Sequence, residues 1–379
     1  MIELSIDTPV GILHVYKDAF PPVEGGIEKQ IDLIRRNLPE ARTDVLVCAR
    51  GARTRSEPVV GGLEIRAAEY GPRWLGSPAA PSMPYWIRRL APDLIHLHMP
   101  NPTGEIATLL ARSGRPLVVS YHADVVRQAR FERLYRPLVD ACLGRASAVI
   151  AGSSGLAASS AALRRHSEKV RVIAHAVDTE RYNPEAADPE RRERIRRRYG
   201  RPIVLAVGRI VYYKGLEYLV EAARGLDAAV VIVGDGPERE RIAQLAADQP
   251  NVHLTGRLSE ADLVDHLAAA DCFALASTSR AESFGIAVAE AQSMRLPAVV
   301  ADTGAGTADS IEDGVTGLLV PTRDPRALRG ALRDLLADES TRERMGAAAR
   351  KRAIARHALH DRMRELRDLY GEVVGTDSR

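Results

Sequence analysis

What most limits the fold of this chain is a series of short, almost wholly apolar runs, each followed by a segment of helical periodicity. The runs at 116–121 (PLVVSY), 203–207 (IVLAV), 229–233 (AVVIV) and 298–301 (AVVA) do not alternate with polar residues. A strand that reads this way is buried on both faces, as in a parallel sheet covered by helices. Parallel neighbours need a crossover, and the helical segments supply it. The runs form two successive arrays, and a charged helical segment at 189–199 opens the second. At 379 residues the chain is long for one core. The expectation is an α/β protein with two Rossmann-like domains, their parallel sheets facing across a cleft that takes the ligand. The boundaries fall at 1–182 and 183–357, with 358–379 as a terminal segment.

Composition narrows the function classes. With 45% hydrophobic and 27% charged residues the chain is an ordinary globular one. No apolar run approaches the roughly 20 residues of a membrane span, and residues 1–17 lack the pattern of a secretory signal. Cys48, Cys142 and Cys272 are far apart and odd in number, as expected for reduced thiols in a cytosol. The net charge is +3. The basic run at 191–198 reads as a solvated helix face partly neutralised by Glu190 and Glu193. Four phenylalanines and two tryptophans offer little for base stacking, so nucleic acid is not an expected partner.

The stretch with most chemistry is 280–292 (RAESFGIAVAEAQ). It follows a strand-like run and leads into a helix whose start is placed at 283–285. The first turn of a helix leaves amides unpaired and carries partial positive charge, which suits an anion. Glu282 and Glu290 stand on either side of that turn. At roughly 1.5 Å of rise per residue, Glu290 lies about 8 Å beyond the helix start. A diphosphate at the amides of Phe284, Gly285 and Ile286, with a carboxylate for hydroxyls at each end, describes a nucleotide sugar. By spacing alone, a loop carboxylate and a solvated helix residue fit equally well.

A second loop, 208–215, carries Gly208, Arg209 and Lys214. Its two cations suit a diphosphate and would neutralise charge on a departing phosphate. Lys214 is one of only five lysines, so its place is informative. The chain has no D-x-D, so a metal held by that motif is not indicated, and no cofactor is expected. In the first array Gly25 and Gly26 put another helix start after a strand. His122 and Asp124 follow the strand at 116–121, where open α/β sheets bind ligands, and are better site candidates than His96 or His98. The Pro-, Gly- and Arg-rich stretches 50–62 and 70–84 read as long loops.

Together, G-R-I-V-Y-Y-K-G at 208–215, G-D-G-P at 234–237 and E-S-F-G-I-A-V-A-E at 282–290 resemble the motifs of family 4 retaining glycosyltransferases of GT-B fold. Gly25-Gly26, Y-H-A-D at 121–124 and A-V-D-T-E-R-Y-N-P at 176–184 extend the resemblance over nearly the whole chain. It implies that Glu282 contacts donor-sugar hydroxyls. The diphosphate lies on Arg209, Lys214 and the backbone around Ser283, Phe284, Gly285 and Ile286. Glu290 holds the ribose, and His122 faces the donor sugar. Gly25 and Gly26 approach the phosphate, and the last helix returns to the first domain. The family retains anomeric configuration, with front-face attack assisted by the departing phosphate. One departure is Q-S-M-R at 292–295, where the family more often ends in glycine; this bears on helix packing.

Glu260 is a candidate for guanine recognition, since a carboxylate accepts from base N–H groups, though an acid in a first helical turn has its own reason to be there. The expected donor is thus GDP-mannose or another GDP- or UDP-sugar. The acceptor is a hydroxyl of a glycan, glycolipid or small glycoside. Trp74, Trp86 and nearby arginines suggest peripheral contact with anionic membrane, at its cytoplasmic face. A non-catalytic nucleotide-sugar sensor of the same fold is the other reading.

Overall fold

The structure is a computed structural model and describes residues 9–23, 25–51, 53–74, 77–124, 129–200, 202–282 and 284–377. Two compact units form. The first takes Met1–Gly152, Ser160–Ile173 and His360–Arg379, and the second takes Ser153–Ser159 and Ala174–Leu359. The chain thus passes between units at Gly152–Ser153, Ser159–Ser160, Ile173–Ala174 and Leu359–His360, whereas the sequence-based boundaries stand at 182 and 357.

The first unit is built on β1 (Val10–Val15), β2 (Ala41–Arg50), β3 (Arg55–Val59), β4 (Gly62–Trp74), β5 (Ser77–Ala79), β6 (Leu94–Met99), β7 (Leu117–Tyr121), β8 (Ala148–Ala151) and β9 (Val170–Val172). Their order is β3-β4-β2-β1-β6-β7-β8-β9, with β5 paired to β4. All pairs are parallel except β3 and β5 on β4. Here the stretches read as loops, 50–62 and 70–84, prove largely to be strands. An antiparallel flank can face water, so it need not show the continuous apolar run that marks its neighbours. Arg55, Ser56 and Glu57 of β3 are exposed, and in β4 only part of the strand, including Ile65 and Ala67, is fully buried.

The second unit has β10 (Ile203–Val207), β11 (Ala229–Val233), β12 (Val252–Gly256), β13 (Cys272–Leu275), β14 (Ala298–Asp302) and β15 (Gly317–Pro321). They form one all-parallel sheet in the order β12-β11-β10-β13-β14-β15. Successive residues of β10 go to opposite cores. Val204 and Ala206 pack with Leu219, Val230 and Leu332; Ile203 and Leu205 pack with Leu267, Phe273 and Val288. Two-sided burial is what the apolar runs require. The charged helix Pro189–Tyr199 has no buried residue, and Arg194–Glu190 and Arg197–Glu193 pair along it, as expected for a solvated face.

Each sheet reverses its strand order once, between β1 and β6 and between β10 and β13. The crevice outside the strand ends at such a reversal is where open α/β sheets take ligands. The three cysteines are buried free thiols. No helix among the described residues is long and apolar enough to cross a membrane.

Candidate active site

At the reversal of the second sheet, the loop after β10 meets the loop after β13. The first runs through a tight turn, Tyr212–Lys214, to the helix Leu216–Ala223. The Thr278 amide donates to the Tyr213 carbonyl at 2.8 Å and ties the loops together. Gly215 makes this approach possible. Its φ is +61°, and a Cβ there would lie 2.1 Å from the Ala276 carbonyl oxygen. Lys214 is thereby turned onto Glu282: Nζ to Oε2 is 2.7 Å, and the Ser277 hydroxyl donates to the same oxygen at 3.2 Å. Burial, the largest single influence, pulls the lysine pKa down, but Glu282, Tyr213 and Glu290 together outweigh it and the net shift is upward, so the ammonium stays charged. Gly208 lies directly against it; a Cβ would stand 3.2 Å from Nζ. Arg209 is exposed and pairs with no carboxylate among the described residues.

The helix after Glu282 is Ile286–Ser293, starting just beyond the expected 283–285, with Gly285 in the left-handed region at its cap and no side chain capping it. Phe284 is buried between the rings of His175 and His357, with centroids at 5.8 and 5.2 Å. Burial holds both histidines neutral, with pKa values near 4. The Phe284 side chain therefore anchors the turn and only its backbone remains to meet a ligand. Ser283 lies outside the described residues. The atypical Gln292 donates to Thr316 Oγ1 at 3.3 Å inside the core. Arg295 takes φ +60°, where the family more often has glycine, and its carbonyl sits against Gly346.

Glu290 is half-buried and accepts from the Tyr182 hydroxyl; burial and the two acids Glu290 and Glu260 push that phenol up. Glu260 is exposed in the first turn of the helix Glu260–Ala269, which Ser259 caps by accepting from the Asp262 amide at 3.1 Å. Its carboxylate is paired with Arg181. Arg181 and Tyr182 belong to the motif at 176–184, but neither residue type carries a role by itself at that place in the sequence. Their proximity to two acids some 80 to 110 positions later was not legible from spacing.

The first unit holds the other candidates. His122 follows β7, is 8% exposed, and its amide donates to Met99 O at 2.9 Å. Its Nε2 lies 3.0 Å from His98 Nδ1, and His98 Nε2 lies 2.9 Å from His14 Nδ1. His96 is set apart: its nitrogens bond Ser120 Oγ at 2.7 Å and the Tyr370 hydroxyl at 2.6 Å. Asp124 accepts from Tyr121 and Ser160 at 2.9 and 2.7 Å. Gly25 caps the helix Gly26–Arg36, which begins at Gly26 as a helix start after a strand should. A Cβ at Gly25 would strike the Glu28 carboxylate at 2.0 Å, so this helix start already has an acid of its own beside it.

Residues 24–181 match the model described as Glycosyltransferase Family 4, and residues 188–352 match Glycosyl transferases group 1. D-rhamnosyltransferase WbpZ of Pseudomonas aeruginosa is 34% identical over 347 residues, covering 90% of each chain. The chain belongs to glycosyltransferase family 4. A GDP-mannose-dependent alpha-mannosyltransferase of Corynebacterium glutamicum is 30% identical over 351 residues, 88% of this chain and 83% of that one. Among solved structures, Anabaena HepE, crystallised with UDP and glucose, superposes with a TM-score of 0.78 at 22% identity, over 96% of this chain and 99% of the other. This chain is thus a glycosyltransferase with the GT-B fold, an α/β protein with two parallel-sheet domains.

Proposed function

We propose that this family 4 glycosyltransferase moves a hexose, mannose from GDP-mannose in the first instance, to a hydroxyl of a glycan, glycolipid or small glycoside, retaining anomeric configuration and without a metal ion. The observation that carries the reading is the Lys214–Glu282 pair, joined at 2.7 Å at the strand-order reversal beside Gly208. In this role the ammonium meets the diphosphate, with exposed Arg209 and the amides of 284–286 as further donors. Glu282 then turns to sugar hydroxyls, and Glu290 with Tyr182 to the ribose. His122 acts on the donor sugar, and Gly25 and Gly26 serve the phosphate. Retention follows if the departing phosphate, held by Lys214, takes the acceptor proton on the side it leaves.

The mannosyl preference is supported by the GDP-mannose-dependent relative of Corynebacterium glutamicum. The base is less strongly drawn, because Glu260 must leave Arg181 to accept from guanine. That pair is exposed, and exposed pairs contribute only about 0–1 kcal/mol, so guanine can displace it. A UDP-sugar is the second reading, and the existing Arg181–Glu260 pair is the observation that favours it. Binding of GDP and UDP measured side by side decides; tighter UDP overturns GDP-mannose. A donor screen with mass spectrometry of products tests transfer itself. Binding without transfer or hydrolysis would leave only a sensor. Peripheral membrane contact is proposed through the helix Met83–Leu90, with Trp86 and the exposed Arg88 and Arg89. Retention by anionic vesicles that high salt abolishes is the expected result; no retention at low salt removes this contact.

A further inference from the structure

A cavity of about 330 Å³ opens in the first unit, lined by Arg50, Gly51, Glu69, Gly71, Pro72 and Arg73. That volume falls at the small end of the range for ligand sites. Its place follows from the sheet. β2 ends at Arg50, whose register partner on the parallel strand β4 is Glu69. Asp18 stands three residues beyond the end of β1, the next strand over. Three neighbouring strands thus each deliver a charged residue at the carboxyl edge of the sheet, where open α/β folds take ligands. In a regular strand Arg73 would lie about 13 Å along from Glu69. Gly71, between them at φ +71°, interrupts the strand, and Arg73 folds back onto the acid.

Arg73 is held from two sides. Its Nε and Nη2 donate to Glu69 Oε2 at 3.1 and 2.9 Å, and its Nη1 donates to Asp18 Oδ1 at 2.8 Å. Burial, the largest single influence, lowers the Arg73 pKa, but Glu69 and Asp18 together outweigh it and the guanidinium stays charged. Arg50 is held loosely: its side chain is 87% exposed, and its Nε lies 3.4 Å from Glu69 Oε1. The two arginines and two acids cancel in charge. An anion drawn to Arg50 would meet the Glu69 carboxylate at the same place and be repelled by it. A hydroxyl carries no charge and both donates and accepts, so it can give its proton to Glu69 while accepting from a guanidinium. We propose that this cavity binds a neutral sugar unit of the acceptor, one without phosphate or carboxylate. Glu69 is its hydrogen-bond acceptor and Arg50 the donor at the rim. Arg73, locked by Asp18, is a positioning residue that fixes the Glu69 carboxylate. The assignment rests on the reading that the acceptor is a glycan, glycolipid or small glycoside, and narrows it to a neutral unit at this place.

Saturation-transfer NMR on the full-length protein tests it, with methyl α-D-mannopyranoside as the neutral probe and D-glucuronate as the anionic one. Glu69→Gln keeps the shape and removes one negative charge. It should raise the Kd of the mannoside about tenfold, as losing a hydrogen bond to a charged group does, and tighten glucuronate. Arg50→Gln, at the exposed rim, should weaken the mannoside about threefold. No mannoside binding to wild type, or mannoside binding unchanged in folded Glu69→Gln, overturns the assignment. So does glucuronate binding tighter than the mannoside to wild type and lost in Arg50→Gln. If Glu69→Gln does not fold, Arg50→Gln decides, and an unchanged mannoside Kd there removes the site. Sugar transfer with an acceptor KM that neither variant moves would remove this site and leave the proposed function standing. Mannoside binding lost in Glu69→Gln, in a protein that transfers no sugar, would do the reverse.

Discussion

The two units treat ionisable groups at their strand-order reversals in opposite ways. In the first, the sheet face holds His14 and His96, which burial keeps neutral. Nearby Glu105, 0% exposed, accepts from Tyr135 and from the Asn101 amide at 2.7 Å, and burial raises its pKa to about 7. In the second, an ammonium and a carboxylate are held together as charges at 2.7 Å. The same topology can therefore offer either directional neutral donors or net charge. The choice follows from what sits beside each group: imidazole beside imidazole leaves charge uncompensated, whereas Lys214 has Glu282.

The contrast can be broken most directly at Lys214. Lys214→Met should lower turnover by a hundred- to a thousandfold, roughly 3–4 kcal/mol, as loss of one preorganised electrophilic donor does. Turnover rates measured with saturating donor check it; an unchanged rate removes the lysine from the chemistry. On the neutral side, Glu105 has its folded pKa raised from 4.5 to about 7. The folded state binds the extra proton between those values, so this group's contribution falls as pH rises from 4.5 to 7 and is flat above. Glu105→Gln should therefore gain roughly 3 kcal/mol relative to wild type at pH 8 and nothing at pH 4. Urea midpoints at the two pH values measure this, and an equal difference at both would refute it.

Backbone geometry supports the charged site, and Gly215→Ala should cost about 2 kcal/mol of stability by forcing a Cβ into the left-handed region against Ala276 O. A denaturation midpoint unchanged within error would show that the loop can move away. The Lys214 pKa is raised, so its contribution is complete below its unfolded value of 10.5 and is lost as pH climbs through the folded value. Stability should thus decline above about pH 10.5 in wild type and less so in Glu282→Gln; parallel curves would mean the pair contributes nothing. The smallest effect is expected at the exposed Arg181–Glu260 pair, where Arg181→Ala should change stability by less than about 1 kcal/mol. A larger loss of thermal stability would mark the pair as structural.

Most of the fold could be read because burial on both faces writes itself into sequence. β10 and β11 are apolar throughout and β14 is apolar up to its last residue, Asp302, and helix Pro189–Tyr199 begins and ends where its charges do. The strands β3, β4 and β5 escaped because a water-facing flank carries arginine, glutamate and proline, residues that also make loops. At the site, the rarity of lysine made Lys214 visible, but its contact with Glu282, 68 positions on, needed the fold. His96 and His98 were set below His122 because they sit within their strand. That placement is what lets His98 reach His122. The signal was present in H-L-H at 96–98 aligned with a histidine on the first strand, and it becomes readable only once β1 and β6 are known to be neighbours.

The helix Leu359–Asp377 belongs to the first unit, where Tyr370 closes over His96 and Arg367 pairs with Glu40. During synthesis, the segment from Ala174 to Leu359 is made before that tyrosine exists. The unit that starts first is therefore the one that finishes last, and until the final turns emerge a polar imidazole in its interior waits without its phenol. A chain cut at residue 359 keeps every residue of the second unit and leaves the His96 imidazole of the first without its phenol.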